Sequence, residues 1–321
     1  MNYKPILIVH GEPNSVFLEI FFKSLKYKRF KSPLILICSQ KILQFQMKKL
    51  KFKMDIKILN PSSLNEKKLN NKTINIIDIN YNKKFNFQKI SNKSNDYIKN
   101  CFEMSFKILK SGITNKFING PISKNSFLNK KFLGITEYLT KKTKAKKNAM
   151  LIYNKTLSVC PITTHLPLKL VVKNITKKQI IEKICLVDSF YKRYLGFKPK
   201  IIILGLNPHC ESINKFNEDE KIVRPTIKHL LNKKINVKGP YSADTAFLKK
   251  NRKNIDVIVG MYHDQVLTPI KTLYEYDAIN ITLGLPFIRI SPDHGPNEKM
   301  LGKNISNPLS LIRALEFLEK N

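Results

Sequence analysis

Along the 321 residues, short apolar runs alternate with longer segments in which apolar positions recur every three or four residues. The short runs, at residues 5–9, 34–38, 56–59, 74–77, 150–153, 158–162, 200–206, 256–261 and 278–283, have the length and Ile/Val/Leu content of buried strands. The longer segments, at 15–27, 95–110, 177–195, 219–232 and 308–319, have the period of helices. Two of these carry end signals. Thr176 with Gln179 forms a capping box before the third helix, which Gly196 closes, and Asn307 followed by Pro308 caps the last. Strand–helix alternation of this kind predicts α/β units with a largely parallel sheet. The polar stretches 60–72 and 80–95 read as surface loops, and no internal repeat is present.

Composition narrows the class. Hydrophobic residues make up 42% and charged residues 25%, as in ordinary globular proteins. No run approaches the roughly 20 apolar residues of a membrane helix. The first apolar run is too short for a signal peptide and lacks a small-residue cleavage site, so a cytoplasmic protein is expected, with no membrane association. Of the five cysteines, four lie in apolar or strand-like runs and read as buried free thiols. Cys210, beside His209, reads as a packing residue or a soft metal ligand.

A net charge of +35 points towards nucleic acid until the basic residues are inspected. Only six are Arg, and the lysines are spread along the whole chain among Asn and Ile. Readers of nucleic acid favour Arg for bidentate and stacking contacts. The pattern is that of a compositional bias at tolerant surface positions, so no nucleic-acid partner is expected. A positive field that favours anionic small molecules remains.

The candidate chemistry is concentrated. Three strand-like runs end in His165, His209 and His263, and in open α/β sheets the carboxyl edge is where ligands bind. Three imidazoles with one open position make a catalytic metal site; the alternative is three satisfied structural histidines. Asp264 and Thr164 stand where second-layer acceptors would fix the rings, and Asp244 is a carboxylate candidate near the metal. His10, His229 and His294 fall outside the pattern. Arg289, flanked by apolar residues, needs an anionic partner, from a ligand or from Asp277 or Asp293. Neither a GxGxxG nor a GxxxxGK[ST] loop is present.

An ordered set of motifs spans nearly the whole chain. It runs from GEP at 11–13, GPISK at 120–124, TEYL at 136–139 and TTHLPLK at 163–169 to LNPH at 206–209. It continues with GP…ADTAF at 239–247, MYHDQ…PIK at 261–271 and NITLGLPFIR…SPDHG at 280–295. In these the chain resembles the 4-hydroxythreonine-4-phosphate dehydrogenase family of pyridoxal phosphate (vitamin B6) biosynthesis. The resemblance implies two α/β/α domains like those of isocitrate and isopropylmalate dehydrogenases, with the active site in the cleft between them. It implies a first domain of residues 1–125 plus 285–321, and a second of 126–284 carrying the metal histidines and the dimer contact. That fold binds NAD or NADP without a GxGxxG loop.

The implied reaction is oxidation of 4-phosphohydroxy-L-threonine at C3 by NAD or NADP, with decarboxylation to 3-amino-2-oxopropyl phosphate. The family implies one divalent metal ion (zinc, cobalt, magnesium or similar) on His165, His209 and His263. It places Thr136, Lys271, Asn280 and Arg289 on the phosphorylated substrate, Asp244 and Lys271 in catalysis, and Asp293, His294 and Gly295 at the dinucleotide. Members are homodimers with shared active sites.

The chain departs from the family at Ile135, where a histidine is usual, and in the loops 14–17, 210–214 and 296–301. The loss at Ile135 motivates a second expectation, a paralogue acting on another phosphorylated four-carbon hydroxy acid such as a phospho-threonate or phospho-erythronate. A non-catalytic basic binding protein is the expectation from a different class.

Overall fold

Runs such as Ile-Leu-Ile-Val at 6–9 and Val-Ile-Val-Gly at 257–260 are apolar at every position and fully buried, the signature of strands covered on both faces. The computed structural model describes all residues except 1–2, 65–68, 129–131, 133, 212–216 and 293. The chain forms two units, Met1–Tyr138 with Pro286–Asn321, and Leu139–Leu285.

In the first unit, strands β1 (Ile6–Val9), β2 (Leu34–Cys38), β3 (Ile56–Ile58), β4 (Ile74–Asp78), β5 (Lys116–Asn119) and β12 (Ile288–Pro292) lie in the order β3-β4-β2-β1-β5-β12. Every pairing is parallel. The helices Asn95–Lys110 and Leu309–Lys320 pack their apolar sides on this sheet, and Phe17–Tyr27 packs against Leu309–Lys320.

The second unit contains β6 (Ala149–Tyr153), β7 (Ser158–Pro161), β8 (Ile201–Leu204), β9 (Val237–Tyr241), β10 (Val257–Gly260) and β11 (Ile279–Leu283), in the order β11-β6-β7-β10-β8-β9. Here β6 runs antiparallel to both neighbours, and β7, β10, β8 and β9 are parallel. Its core is Ile152, Val159, Leu204, Ile258, Val266 and Ile270 with their neighbours. The α/β class read from the alternation is the class observed.

The expected strands all appear, some trimmed at their ends. Three more were not legible, because a polar residue or a proline breaks each apolar run: Lys116 and Asn119 in β5, Gly239-Pro240 in β9, and Arg289 in β12. The helix His263–Tyr274 was hidden by its internal Pro269. Thr176 Oγ1 accepts from Gln179 N at 3.2 Å, and Gly196 closes the following turn with φ 79°, both as the end signals required.

The stretch 80–95 is irregular, as expected, but part of it is not surface. Tyr81 and Phe85 are buried, and the Phe85 ring stands edge-on to Phe45 at 5.3 Å and to Tyr81 at 6.0 Å. All five thiols are free. Cys38, Cys101, Cys160 and Cys210 are buried and Cys185 is half-buried. Among the described residues no helix is long and apolar enough to cross a membrane.

Candidate active site

In the second unit the neighbouring parallel strands β7, β10 and β8 end on one edge, and each delivers a histidine just beyond its last residue. After β7, Thr163 donates from both its N–H and its hydroxyl to the Met261 carbonyl, at 3.1 and 2.8 Å. That ties the approach to His165 onto the end of β10. It is Thr163, not Thr164, whose hydroxyl is engaged here, and its partner is a carbonyl rather than a ring.

After β10, His263 opens the helix His263–Tyr274, and its Nδ1 lies 2.6 Å from Asp264 Oδ1. With Nδ1–H given to the carboxylate, the Nε2 lone pair is left as a donor to a cation. The rings of His165 and His263 stand 5.7 Å apart, centroid to centroid.

After β8, His209 occupies a single turn, Pro208–Cys210, with φ 54°, and Cys210 follows with φ 61°. Two consecutive non-glycine residues in the left-handed region cost on the order of 1–3 kcal/mol each unless the surroundings hold them there. Cys210 is buried under this turn, against Gly205, and packs as a small residue. His209 itself is exposed.

Among the described residues no three His, Cys, Asp or Glu side chains are gathered closely enough to hold a metal ion. The pair His165–His263 is together and His209 stands apart from it. The donor set nevertheless fits a divalent cation: two adjacent imidazoles, one with its tautomer fixed by a carboxylate, and a third on the next strand end. Asp244 is exposed on the short helix Ala243–Ala246, packed beside the His209 turn. Lys271 is half-buried on the helix that His263 begins, and burial lowers its pKa. Asn280, on β11, has a buried Oδ1 with no hydrogen-bond partner among the described residues, an acceptor open to a ligand donor.

In the first unit Arg289 is fully buried on β12. Its Nε donates to Asn119 Oδ1 at 2.7 Å, and Asn119 Nδ2 donates to the Gly120 carbonyl at 2.9 Å. Burial pulls the guanidinium pKa down to about 9, with Glu137 opposing, so the group remains charged at neutral pH. Arg289 forms part of the wall of a cavity of about 900 Å³, with Asn119, Lys124, Ile135, His294 and Glu298 among the other lining residues. Gly295 also lines it, whereas Asp293 lies outside the described residues. His294 Nδ1 is 3.0 Å from the Gly295 carbonyl, and its ring lies near Phe17. Thr136 is buried near the start of the helix Ile135–Lys142. Ile135 therefore forms part of a cavity wall in which the family's histidine would be polar.

Behind the cavity the GEP and GPISK segments cross backbone to backbone. Glu12 N donates to the Pro121 carbonyl at 2.8 Å, and a Cβ at Gly120 would fall 2.0 Å from the His10 carbonyl. Glu12, fully buried, accepts from Asn14 N at 3.1 Å and Ser94 Oγ at 3.0 Å, and burial raises its pKa. Sequence reading missed Asn119, Glu12, Asp219 and Gln265 as contributors. Gln265 had a signal in its position beside His263-Asp264. Glu12 had one in the GEP motif and Asn119 one beside GPISK, whereas Asp219 reads as an ordinary polar residue until the chain is folded.

The known family that matches is described as pyridoxal phosphate biosynthetic protein PdxA, over residues 29–318. A 4-hydroxythreonine-4-phosphate dehydrogenase of Sulfurihydrogenibium sp. is 39% identical over 97% of this chain and 96% of its own. A D-threonate 4-phosphate dehydrogenase of Pectobacterium atrosepticum is 32% identical over 70% of each. The crystal structure of the Klebsiella pneumoniae 4-hydroxythreonine-4-phosphate dehydrogenase superposes with a TM-score of 0.84 at 27% identity, covering 98% of both chains. An isocitrate dehydrogenase among the more distant structural matches shares the fold alone.

Proposed function

The chain belongs to the PdxA family of pyridoxal phosphate biosynthetic proteins, and on that premise we propose that it oxidises 4-phosphohydroxy-L-threonine with NAD or NADP. One hydride passes from C3 to the nicotinamide and the hydroxyl proton is released; the carboxylate then leaves as carbon dioxide, and C2 takes up one proton in its place. The product is 3-amino-2-oxopropyl phosphate. The observation that carries this reading is Arg289: a fully buried, charged guanidinium, aimed by Asn119, in the wall of a cavity large enough for a phosphorylated metabolite.

Each remaining residue has a role that its surroundings support. Thr136 and Arg289 would hold the anionic end of the substrate, and Lys271 would neutralise a second negative group. Asn280 Oδ1 would accept a hydrogen bond from it. His165 and His263, with His209, would hold one divalent cation, and Asp264 orients the His263 ring. Bound there, such an ion supplies Lewis-acid polarisation of the hydroxyl being oxidised. Asp244, beside the His209 turn, would serve as the nearby carboxylate. His294 and Gly295, which line the cavity, would contact the dinucleotide together with Asp293, a residue outside the described ones.

A homodimer is part of the same reading. The second unit leaves Leu168, Val172, Tyr241, Leu248 and Tyr276 exposed to 44% or more, apolar area that a second copy would cover.

The test is NADH or NADPH formation by purified, metal-supplemented protein on 4-phosphohydroxy-L-threonine and, in parallel, on D-threonate 4-phosphate. Turnover of the first is expected. No turnover of it, with turnover of the second, would replace this reading by the paralogue reading. Ile135 in the cavity wall and the similarity to a D-threonate 4-phosphate dehydrogenase are the observations that favour that alternative.

A further inference from the structure

The roles assigned so far leave one well-bonded side chain unused. Gln265 stands in the first turn of the helix that His263 opens. Its Oε1 accepts from Met261 N at 2.6 Å, the first N–H beyond β10. Its Nε2 donates to the Gly205 carbonyl at 2.8 Å, the first carbonyl beyond β8. One amide thus joins the two strand ends that lead to His263 and His209.

The neighbourhood is shaped around this bridge. A Cβ at Gly260 would come within 2.8 Å of Gln265 Oε1 and 2.5 Å of the Val266 side chain, so glycine there makes room for it. On the β8 side, buried Asp219 accepts from Leu206 N at 2.7 Å and Asn207 N at 2.9 Å, gripping the next two residues of the same segment. On the β7 side, Thr163 binds the Met261 carbonyl. The three ends are therefore linked through the Met261 backbone, and Gln265 continues the pairing of β8 with β10 beyond Ile203 and Val259, where the ladder stops. The bridge needs a donor and an acceptor on one terminal group at this reach. Glutamine supplies both; glutamate lacks the donor and methionine lacks both.

We propose that Gln265 is a positioning residue that ties together the segments leaving β8 and β10, so that His209 can join His263 and His165 on one divalent cation. The inference rests on the metal reading given above. The residues that Gln265 and Asp219 hold, Gly205, Leu206 and Asn207, lead into the left-handed backbone at His209 and Cys210.

The experiment is a calorimetric titration of the metal-free full chain with Zn²⁺, alongside His263→Ala as the reference for stray zinc sites. Thermal midpoints of the metal-free proteins are recorded in parallel. Wild type should bind one ion per chain that His263→Ala does not. Gln265→Met should bind it tenfold to a hundredfold more weakly, on the order seen when outer partners of metal ligands are removed. Gln265→Glu, which keeps the Met261 contact, should fall between the two and serves alone if Gln265→Met does not fold. Unchanged affinity in the folded variants, with or without a lower midpoint, would overturn the positioning role while leaving the metal site standing. No His263-dependent binding in wild type would overturn the metal reading, and this inference with it.

Discussion

Arg289 has no solvent around it, and its charge is held by an amide oxygen at 2.7 Å and by the field of Glu137. A buried cation in that state is stabilised further by an incoming phosphate or carboxylate. Arg289→Met should therefore raise KM for the phosphorylated substrate by roughly a hundredfold or more, equivalent to about 3 kcal/mol. The change also takes the donor from Asn119 Oδ1, at a cost of about 1–3 kcal/mol, so chemical denaturation of the variant separates lost binding from lost fold. A KM within a few-fold of wild type would remove Arg289 from the site.

His10 makes a prediction of the opposite kind. Burial lowers its pKa from 6.5 to about 3, so the folded protein keeps it neutral while the unfolded chain protonates it below about 6.5. The unfolded state then binds more protons in that window, and stability must fall as pH drops from 6.5 towards 3. The loss should reach a few kcal/mol by about pH 4. Urea unfolding at several pH values should show this slope, and His10→Asn should flatten it; parallel slopes for the two proteins would refute the assignment.

At this scale the histidines were legible because each follows an apolar strand run directly. Asn119 and Asp219 were not, since their partners are atoms distant in sequence.

Elements repeat the lesson at greater length. Thr176 caps its helix through a bond to a residue three positions on, a contact the sequence alone specifies. Thr176→Ala should cost about 1 kcal/mol in chemical denaturation, with activity unchanged. A loss below experimental error would mean that tertiary packing, rather than the cap, holds that helix end. Strands β5, β9 and β12 show the limit. Arg289, Lys116 and Pro240 each break an apolar pattern, yet their neighbours in the sheet impose the extended backbone regardless. Periodicity detects burial, and a strand that buries a functional cation is the case it must miss.

For the whole molecule, the +35 charge is carried by a chain whose relatives are named for phosphorylated substrates, and a positive field favours the capture of small anions. The proposed homodimer rests on the exposed apolar residues of the second unit. Sedimentation equilibrium should give twice the 37.2 kDa chain mass, and Leu168→Glu combined with Val172→Glu should give the monomer. A monomeric wild type would exclude the shared-site reading.

By itself the sequence determined the α/β class, most strands and the Thr176 cap, and it named the candidate chemical groups. All of these depend on apolar periodicity or on contacts a few residues apart. Only the tertiary structure decided that Gln265 links β10 to β8, that Asp219 grips the His209 segment, and that Asn119 aims Arg289. The physical reason is common to the three. Each polar side chain is satisfied by a group 13 to 170 residues away, and that group comes within reach only when the strands lie side by side.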